Sequence, residues 1–179
     1  MPAELHDFVD QKFEGERFTG ASYERAVFLD CAFTDCDLSA ADFREATLER
    51  TTFTRCRMSA TNFSGARVRD VRFAECKLDD ANFRMANGEK VAFDGSVLVS
   101  ADFYAATMPG TVFSACDLSG VEVSKATLAG SDLRGSRLDG LKGAIDLRDI
   151  TIDSAQMIPA ALSLFAALDF TLQDDDEVS

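Results

Sequence analysis

The five cysteines, Cys31, Cys36, Cys56, Cys76 and Cys116, carry the most intrinsic chemistry in this chain of 179 residues. Thiols at regular spacing can pair as disulfides, hold soft metal ions or serve as nucleophiles. Cys36, Cys56 and Cys76 recur every 20 residues, yet no spacing matches a zinc motif and the only histidine is His6. No glycine-rich phosphate loop is present. Carboxylates are the other abundant group, with 31 Asp and Glu against 18 Lys and Arg and a net charge of −13. Spread along a polar surface they read as solvation, so no enzyme is expected and no catalytic, cofactor-binding or metal residue is assigned.

The elements that must position these residues follow a five-residue period. From Phe8 to Leu138 every fifth residue is bulky and apolar, through Phe13, Phe18, Tyr23, Phe28 and onward, with Gly88 the single exception. Thirteen of the fifteen Phe fall in this phase. Two residues earlier, from Ala21 to Ser136, every position holds Ala, Cys, Thr, Val or Ser. All five cysteines lie in this small register, where they read as packing residues rather than as redox or metal centres. The other three positions carry nearly all the charge and the glycine.

A period of five fits neither standard element. It would wrap around the whole surface of an α-helix, and it would alternate between the faces of a flat strand. The chain must turn once per unit, and the columns show how many units close a coil. Ala26, Ala46, Ala66, Ala86, Ala106 and Ala126 repeat every 20 residues, as do Phe33, Phe53, Phe73, Phe93 and Phe113. Four units therefore form a square coil, and a three-sided coil would scramble these columns.

The units Ala41-Asp42-Phe43-Arg44-Glu45, Ala81-Asn82-Phe83-Arg84-Met85, Ala101-Asp102-Phe103-Tyr104-Ala105 and Ser131-Asp132-Leu133-Arg134-Gly135 resemble the pentapeptide-repeat family. The resemblance covers about three quarters of the chain. It implies an all-β fold, a right-handed quadrilateral β-helix of about seven coils at the inter-strand spacing of roughly 4.8 Å, with a C-terminal α-helical cap. The expected division is 1–149 for the β-helix, 150–170 for a capping and dimerisation helix and 171–179 for an acidic tail. Gly88 reads as a local weak spot or a bend, since Phe93 returns in phase. Asp153 or Ser154 is the expected N-cap of a short turn, with the helix proper starting at Pro159.

The helix should cover the last coil. Leu162, Leu164, Phe165, Leu168 and Phe170 offer more apolar surface than one rod end needs, so two readings stand: a cap alone, or a cap that also joins two rods as a homodimer. The acidic N-terminus lacks the pattern of a secretory signal and no apolar run is long enough to span a membrane, so a soluble cytoplasmic protein is expected.

An acidic rod would repel nucleic acid, and duplex DNA is itself an acidic rod, so the expected ligand is a basic DNA-binding groove. The resemblance extends to the loopless members of the branch holding the quinolone-resistance and mycobacterial fluoroquinolone-resistance proteins. It implies a dimeric DNA mimic that binds a type II topoisomerase, DNA gyrase or topoisomerase IV. The alternative is a rigid interaction module with another protein partner. Charge along the chain supports mimicry only in part. Residues 1–50 carry 12 acids and 5 bases, whereas residues 51–100 carry 6 and 8. The expected partner surface is Asp102, Asp117, Glu122, Asp132, Asp139, Asp146 and Asp149, although Asp or Asn just before the bulky residue is also the family's structural consensus.

Overall fold

The computed structural model describes residues 7–168. Its strands are β1 (Asp7–Val9), β2 (Lys12–Glu14), β3 (Val27–Leu29), β4 (Ala32–Thr34), β5 (Thr47–Thr54), β6 (Arg67–Ala74), β7 (Asn87–Asp94) and β8 (Val112–Ser114), followed by the helix α1 (Met157–Ala166). Every strand pair is parallel with a shift of one 20-residue coil: Phe13 faces Phe33, Phe33 faces Phe53, and Phe53 faces Phe73. The coil is the four-sided one that the columns require.

Opposite sides of the square carry stacked rings. Phe33, Phe53, Phe73, Phe93 and Phe113 stack at 4.8–5.0 Å between centroids. Phe43, Phe63, Phe83 and Phe103 form a second stack at 4.8–5.1 Å. The two meet edge to face down the axis, as Phe83 and Phe93 do at 5.8 Å and 90°. Each buried ring contributes about 1.5–3 kcal/mol through burial, and favourable ring pairs add about 0.5–1.5 kcal/mol. Leu38, Met58, Leu78 and Leu98 line another side, fully buried.

Each fifth residue from Asp10 to Gly140 is a corner with φ between 47° and 76°. Most of these are not glycine, although L-residues seldom adopt that conformation. Two kinds of corner result. After Leu38, Phe43, Leu78 and Phe83 the chain makes a hydrogen-bonded turn, the next small residue donating its N–H to the carbonyl of the bulky one, as Ala41 does to Leu38 at 3.0 Å. After Phe33, Phe53, Phe73 and Phe93 the side chain of the next coil serves that carbonyl instead. The Cys76 thiol donates to the Phe53 carbonyl at 3.4 Å, the Ser96 hydroxyl to Phe73 at 3.2 Å, the Cys116 thiol to Phe93 at 3.4 Å and the Ser136 hydroxyl to Phe113 at 3.0 Å. Ser96 Oγ also accepts from the N–H of Cys76 at 3.0 Å. The thiols are free and buried. A hydrogen bond shared with Cys56, together with burial, raises the Cys76 thiol, and burial pushes Cys116 up to about 11.

The expectation of about seven coils is too generous for the strand-built rod, which has about five turns. From Leu128 and Leu133 onward the formerly open corners also close as turns, with Ser131 and Ser136 donating to those carbonyls. Single parallel bridges then carry the stacking to Thr151. Gly88 is not a void, because Met108 fills the missing place: a Cβ there would lie 2.9 Å from Cγ and Cε of Met108. Gly143 ends the pattern. Its φ is 71°, and a Cβ would fall 2.5 Å from the Ser124 nitrogen.

Asp153 caps a 3-10 turn over Ser154–Gln156 in a reciprocal capping box with Gln156. The helix begins at Met157 rather than Pro159. Pro159 therefore lies in its first turn, where an N–H has no intrahelical acceptor to lose.

Cys76→Ser should keep the urea midpoint close to that of the parent chain, whereas Cys76→Ala should lower stability by about 1 kcal/mol through the lost bond to a buried carbonyl. A native-state thiol titration should find the described cysteines unreactive until denaturant is added.

Candidate protein-binding surface

The outward positions stack in the same register as the core, and most of the ion pairs among the described residues join residues one coil apart. Arg25 pairs with Glu45 at 2.8 Å, Arg50 with Asp30 at 2.6 Å, Arg55 with Asp35 at 2.8 Å and Arg69 with Glu89 at 3.6 Å. Arg72 pairs with Asp94. These pairs are exposed, so each adds little to stability. Their effect is to break the acidic charge of the rod into alternating rungs.

A second set of Asp, Asn and Glu side chains bonds to the chain just ahead of it. Asp42, Asn62, Asn82, Asp102, Asp117, Glu122 and Asp132 each accept the N–H two residues on, at 2.7–3.1 Å. All of them precede a bulky residue whose corner is a hydrogen-bonded turn. This is the local side-chain bond that makes Asp and Asn turn residues.

The expected partner surface is thus distributed over several sides. Asp102 and Glu122 stack as neighbours, with Asp102 held by Arg84 at 2.9 Å. Asp117 and Asp139 share Arg137, at 3.3 and 3.4 Å. Asp132 lies on another side, bonded to Arg134 at 2.6 Å. Asp146 accepts the N–H of Lys125 at 2.8 Å, and the Asp149 carbonyl accepts from Gly130 at 2.7 Å. Asp139, Asp146 and Asp149 all lie near the C-terminal end of the coil stack.

At that end α1 is inverted. Ser163 is its buried residue and Gln156 that of the turn before it, and Gln156 Nε2 donates to the carbonyls of Leu133 and Ser136 at 2.6 Å each. Ile158, Leu162 and Leu168 are 73%, 63% and 49% exposed, and Leu164 and Phe165 are exposed as well. Phe170 lies outside the described residues. Met157 and Ile158 also belong to this outward face and were not among the expected interface residues. The i, i+4, i+7 spacing of Ile158, Leu162 and Phe165 is the signal for them. Among the described residues no group of His, Cys, Asp and Glu could hold a metal ion, and no helix is long and apolar enough to cross a membrane.

Hydrogen bonds from Arg134 hold the Asp132 carboxyl at about 2, and those from Arg50 and Arg55 lower Asp30 and Asp35. A free aspartate titrates near pH 3.9, so these groups are deprotonated more readily in the folded state. The contribution of Asp132 is present above about pH 4 and is lost as pH falls toward about 2, and those of Asp30 and Asp35 are likewise lost in acid. Thermal melts at pH 6, 4 and 2.5 should show a Tm that drops in acid, with Asp132→Asn reducing the drop.

Comparison with known proteins bears on the repeat itself. The profile described as pentapeptide repeat region matches residues 6–83 and 26–102, and that of pentapeptide repeats (8 copies) matches residues 96–140. No curated protein sequence matches the chain. Among solved structures, the chain is similar to a trypsin-treated variant of QnrB1, a plasmid-mediated fluoroquinolone resistance protein, with 20% identity, a TM-score of 0.48 and coverage of 95% of this chain and 100% of that one. It is also similar to HetL, a pentapeptide repeat protein involved in heterocyst differentiation regulation from the cyanobacterium Nostoc, with 14% identity, a TM-score of 0.29 and coverage of 78% and 90%. A third is a pentapeptide repeat protein of the Arabidopsis thaliana thylakoid lumen, with 21% identity, a TM-score of 0.19 and coverage of 66% and 68%. The profiles span well over half of the sequence, and the chain belongs to the pentapeptide-repeat family.

Proposed function

We propose that the protein is a DNA-mimicking binding rod that engages a type II topoisomerase, DNA gyrase or topoisomerase IV, and modulates its activity or quinolone sensitivity. The observation that carries this reading is the inverted C-terminal helix beside Asp139, Asp146 and Asp149. Large apolar side chains kept in water on one helix face mark an interface. A twofold axis through that face joins two rods end to end, doubles their length and brings both acidic ends to the centre. Leu162, Leu164, Phe165 and Leu168 form the dimer contact, with Phe170 following in sequence. The carboxylates then occupy a basic groove in place of phosphates, without binding nucleic acid directly. No loop interrupts the repeat between Asp10 and Gly140, which favours binding and inhibition over drug protection.

A second reading, a rod for a different protein partner, is favoured by the ion-pair rungs, because paired charges weaken the resemblance to a phosphate backbone. The two readings separate in a supercoiling assay with purified gyrase and topoisomerase IV, titrated with the protein with and without a fluoroquinolone. Inhibition should appear at micromolar protein and weaken with added salt. Asp139→Lys should reduce it without changing the melting temperature, since that carboxylate bonds only to the Arg137 side chain. Lack of any effect on both enzymes would leave the second reading. Leu162→Asp should halve the mass measured by light scattering, and a parent chain that is already monomeric would end the dimer proposal.

A further inference from the structure

Three departures from the repeat meet at one place on the rod, and only Gly88, whose place Met108 fills, is accounted for by packing. Met85 is the one large apolar side chain at a left-handed corner, at φ 56° and 56% exposed, where glycine or a polar residue is usual. Tyr104 is the one aromatic side chain on the outside of the coils among the described residues. Gly88 is the one missing bulky residue, and its φ is not positive, so the backbone does not demand glycine. They are contiguous. The Met85 N–H donates to the Tyr104 carbonyl at 3.0 Å, and Asn87 Nδ2 donates to the Met85 carbonyl at 3.4 Å.

The result is a ridge beside a hollow. On one side Arg84 lies 4.3 Å from the Tyr104 ring centroid and Lys125 Nζ lies 5.2 Å from it. On the other side, across Met85, an open hollow of about 610 Å³ is lined by Arg67, Arg69, Gly88, Thr107 and Pro109, among others. Arg67 has no ion pair among the described residues, whereas Arg69 has only the long contact to Glu89. Tyr, Met and Arg are the residue types enriched at the centres of protein interfaces. The left-handed φ of Met85 is the one that closure imposes at every corner; what sets this corner apart is a large apolar side chain left in solvent.

We propose that this ridge and hollow bind an extended acidic segment of a partner protein, whose apolar side chain packs against Met85 over Gly88 while its carboxylates meet Arg67 and the cations around Tyr104. The site lies mid-rod, away from the helix, and meets the C-terminal acids only at Lys125, whose N–H donates to Asp146. It rests on the rod being a binding protein but not on the partner being a topoisomerase.

The test is selection of a displayed random-peptide library on the purified full-length protein, followed by fluorescence anisotropy with one synthesised selected peptide. A duplex DNA oligonucleotide serves as competitor. The enriched peptides should carry an apolar residue flanked by Asp or Glu. Affinity should fall roughly tenfold in Arg67→Glu and in Tyr104→Ala, both melting like the parent chain, and stay unchanged in Glu14→Gln. The proposal is overturned if nothing enriches, if the peptides are basic, if both variants bind as the parent does, or if duplex DNA competes. Self-association abolished by Met85→Asp would assign the surface to a second copy and overturn it equally. Gyrase takes no part in this readout, so failure of the topoisomerase reading cannot be mistaken for failure here.

Discussion

The backbone carbonyl of each core residue governs this structure more than the core side chain does. A coil that turns every five residues points that carbonyl into a corner, away from the ladder bonds on either side. A buried carbonyl without a donor costs about 1–3 kcal/mol, and the corner recurs along the whole rod. The chain meets the demand in two ways. A turn brings the next N–H onto it, or a thiol or hydroxyl reaches it from the following coil. The choice sets the composition of the small register, with Ala mostly following turns and Cys or Ser following the open corners after the Phe33 column. Val71 and Val91 mark a third case, where β6 and β7 continue through the corner and β-branched residues pair directly, whereas Thr51 Oγ1 still donates to the Phe28 carbonyl at 3.5 Å.

The same register arranges the surface. A shift of one coil places outward residue over outward residue, so charge meets charge every 20 residues. Arg50 over Asp30 and Arg55 over Asp35 are consequences of that spacing. A continuous acidic stripe would place like charges one strand spacing apart, which is unfavourable in neighbouring strands. The rod therefore retains its net negative charge while alternating its sign locally. Any partner that reads it as DNA must read its ends, where fewer cations intervene, rather than its middle.

Much of this was legible before the structure. The period of five, the 20-residue coil, the buried status of the cysteines and the presence of a C-terminal helix all follow from side-chain type and spacing. The corners were less so, because left-handed φ falls on Asp30, Arg50, Glu75 and Met85 as readily as on glycine. Backbone geometry imposed by closure overrides residue preference there. The extent of regular strand was misjudged for a related reason: apolar spacing is the same for turned and extended sides, and a preceding Asp or Asn marks only some of the turned ones, since Lys77 and Val97 precede the turns after Leu78 and Leu98. The candidate surface was the least legible. Asp117, Asp132 and Glu122 are acidic in sequence but bond to their own backbone, and sequence cannot show which side of a square a residue occupies until the coil is closed.

The end of the rod joins both constraints. Gln156 falls 20 residues after Ser136, in the column of Cys36, Cys56, Cys76, Ser96 and Cys116, and its amide donates to Leu133, the carbonyl that the next member of that column would serve. It also serves the Ser136 carbonyl, which would otherwise await another coil. A longer, two-donor side chain thus closes a column that thiols and hydroxyls had continued, and the chain is released into α1 directly afterwards. Because Gln156 ties the start of the helix to the coil and the small Ser163 is the residue α1 buries, its large side chains are not needed for capping and face outward. A helix whose only task was to shield the last coil would turn Ile158, Leu162 and Phe165 inward. Their outward placement separates stopping the solenoid from presenting a surface, and that surface is the feature of the rod end that polymer closure alone does not explain.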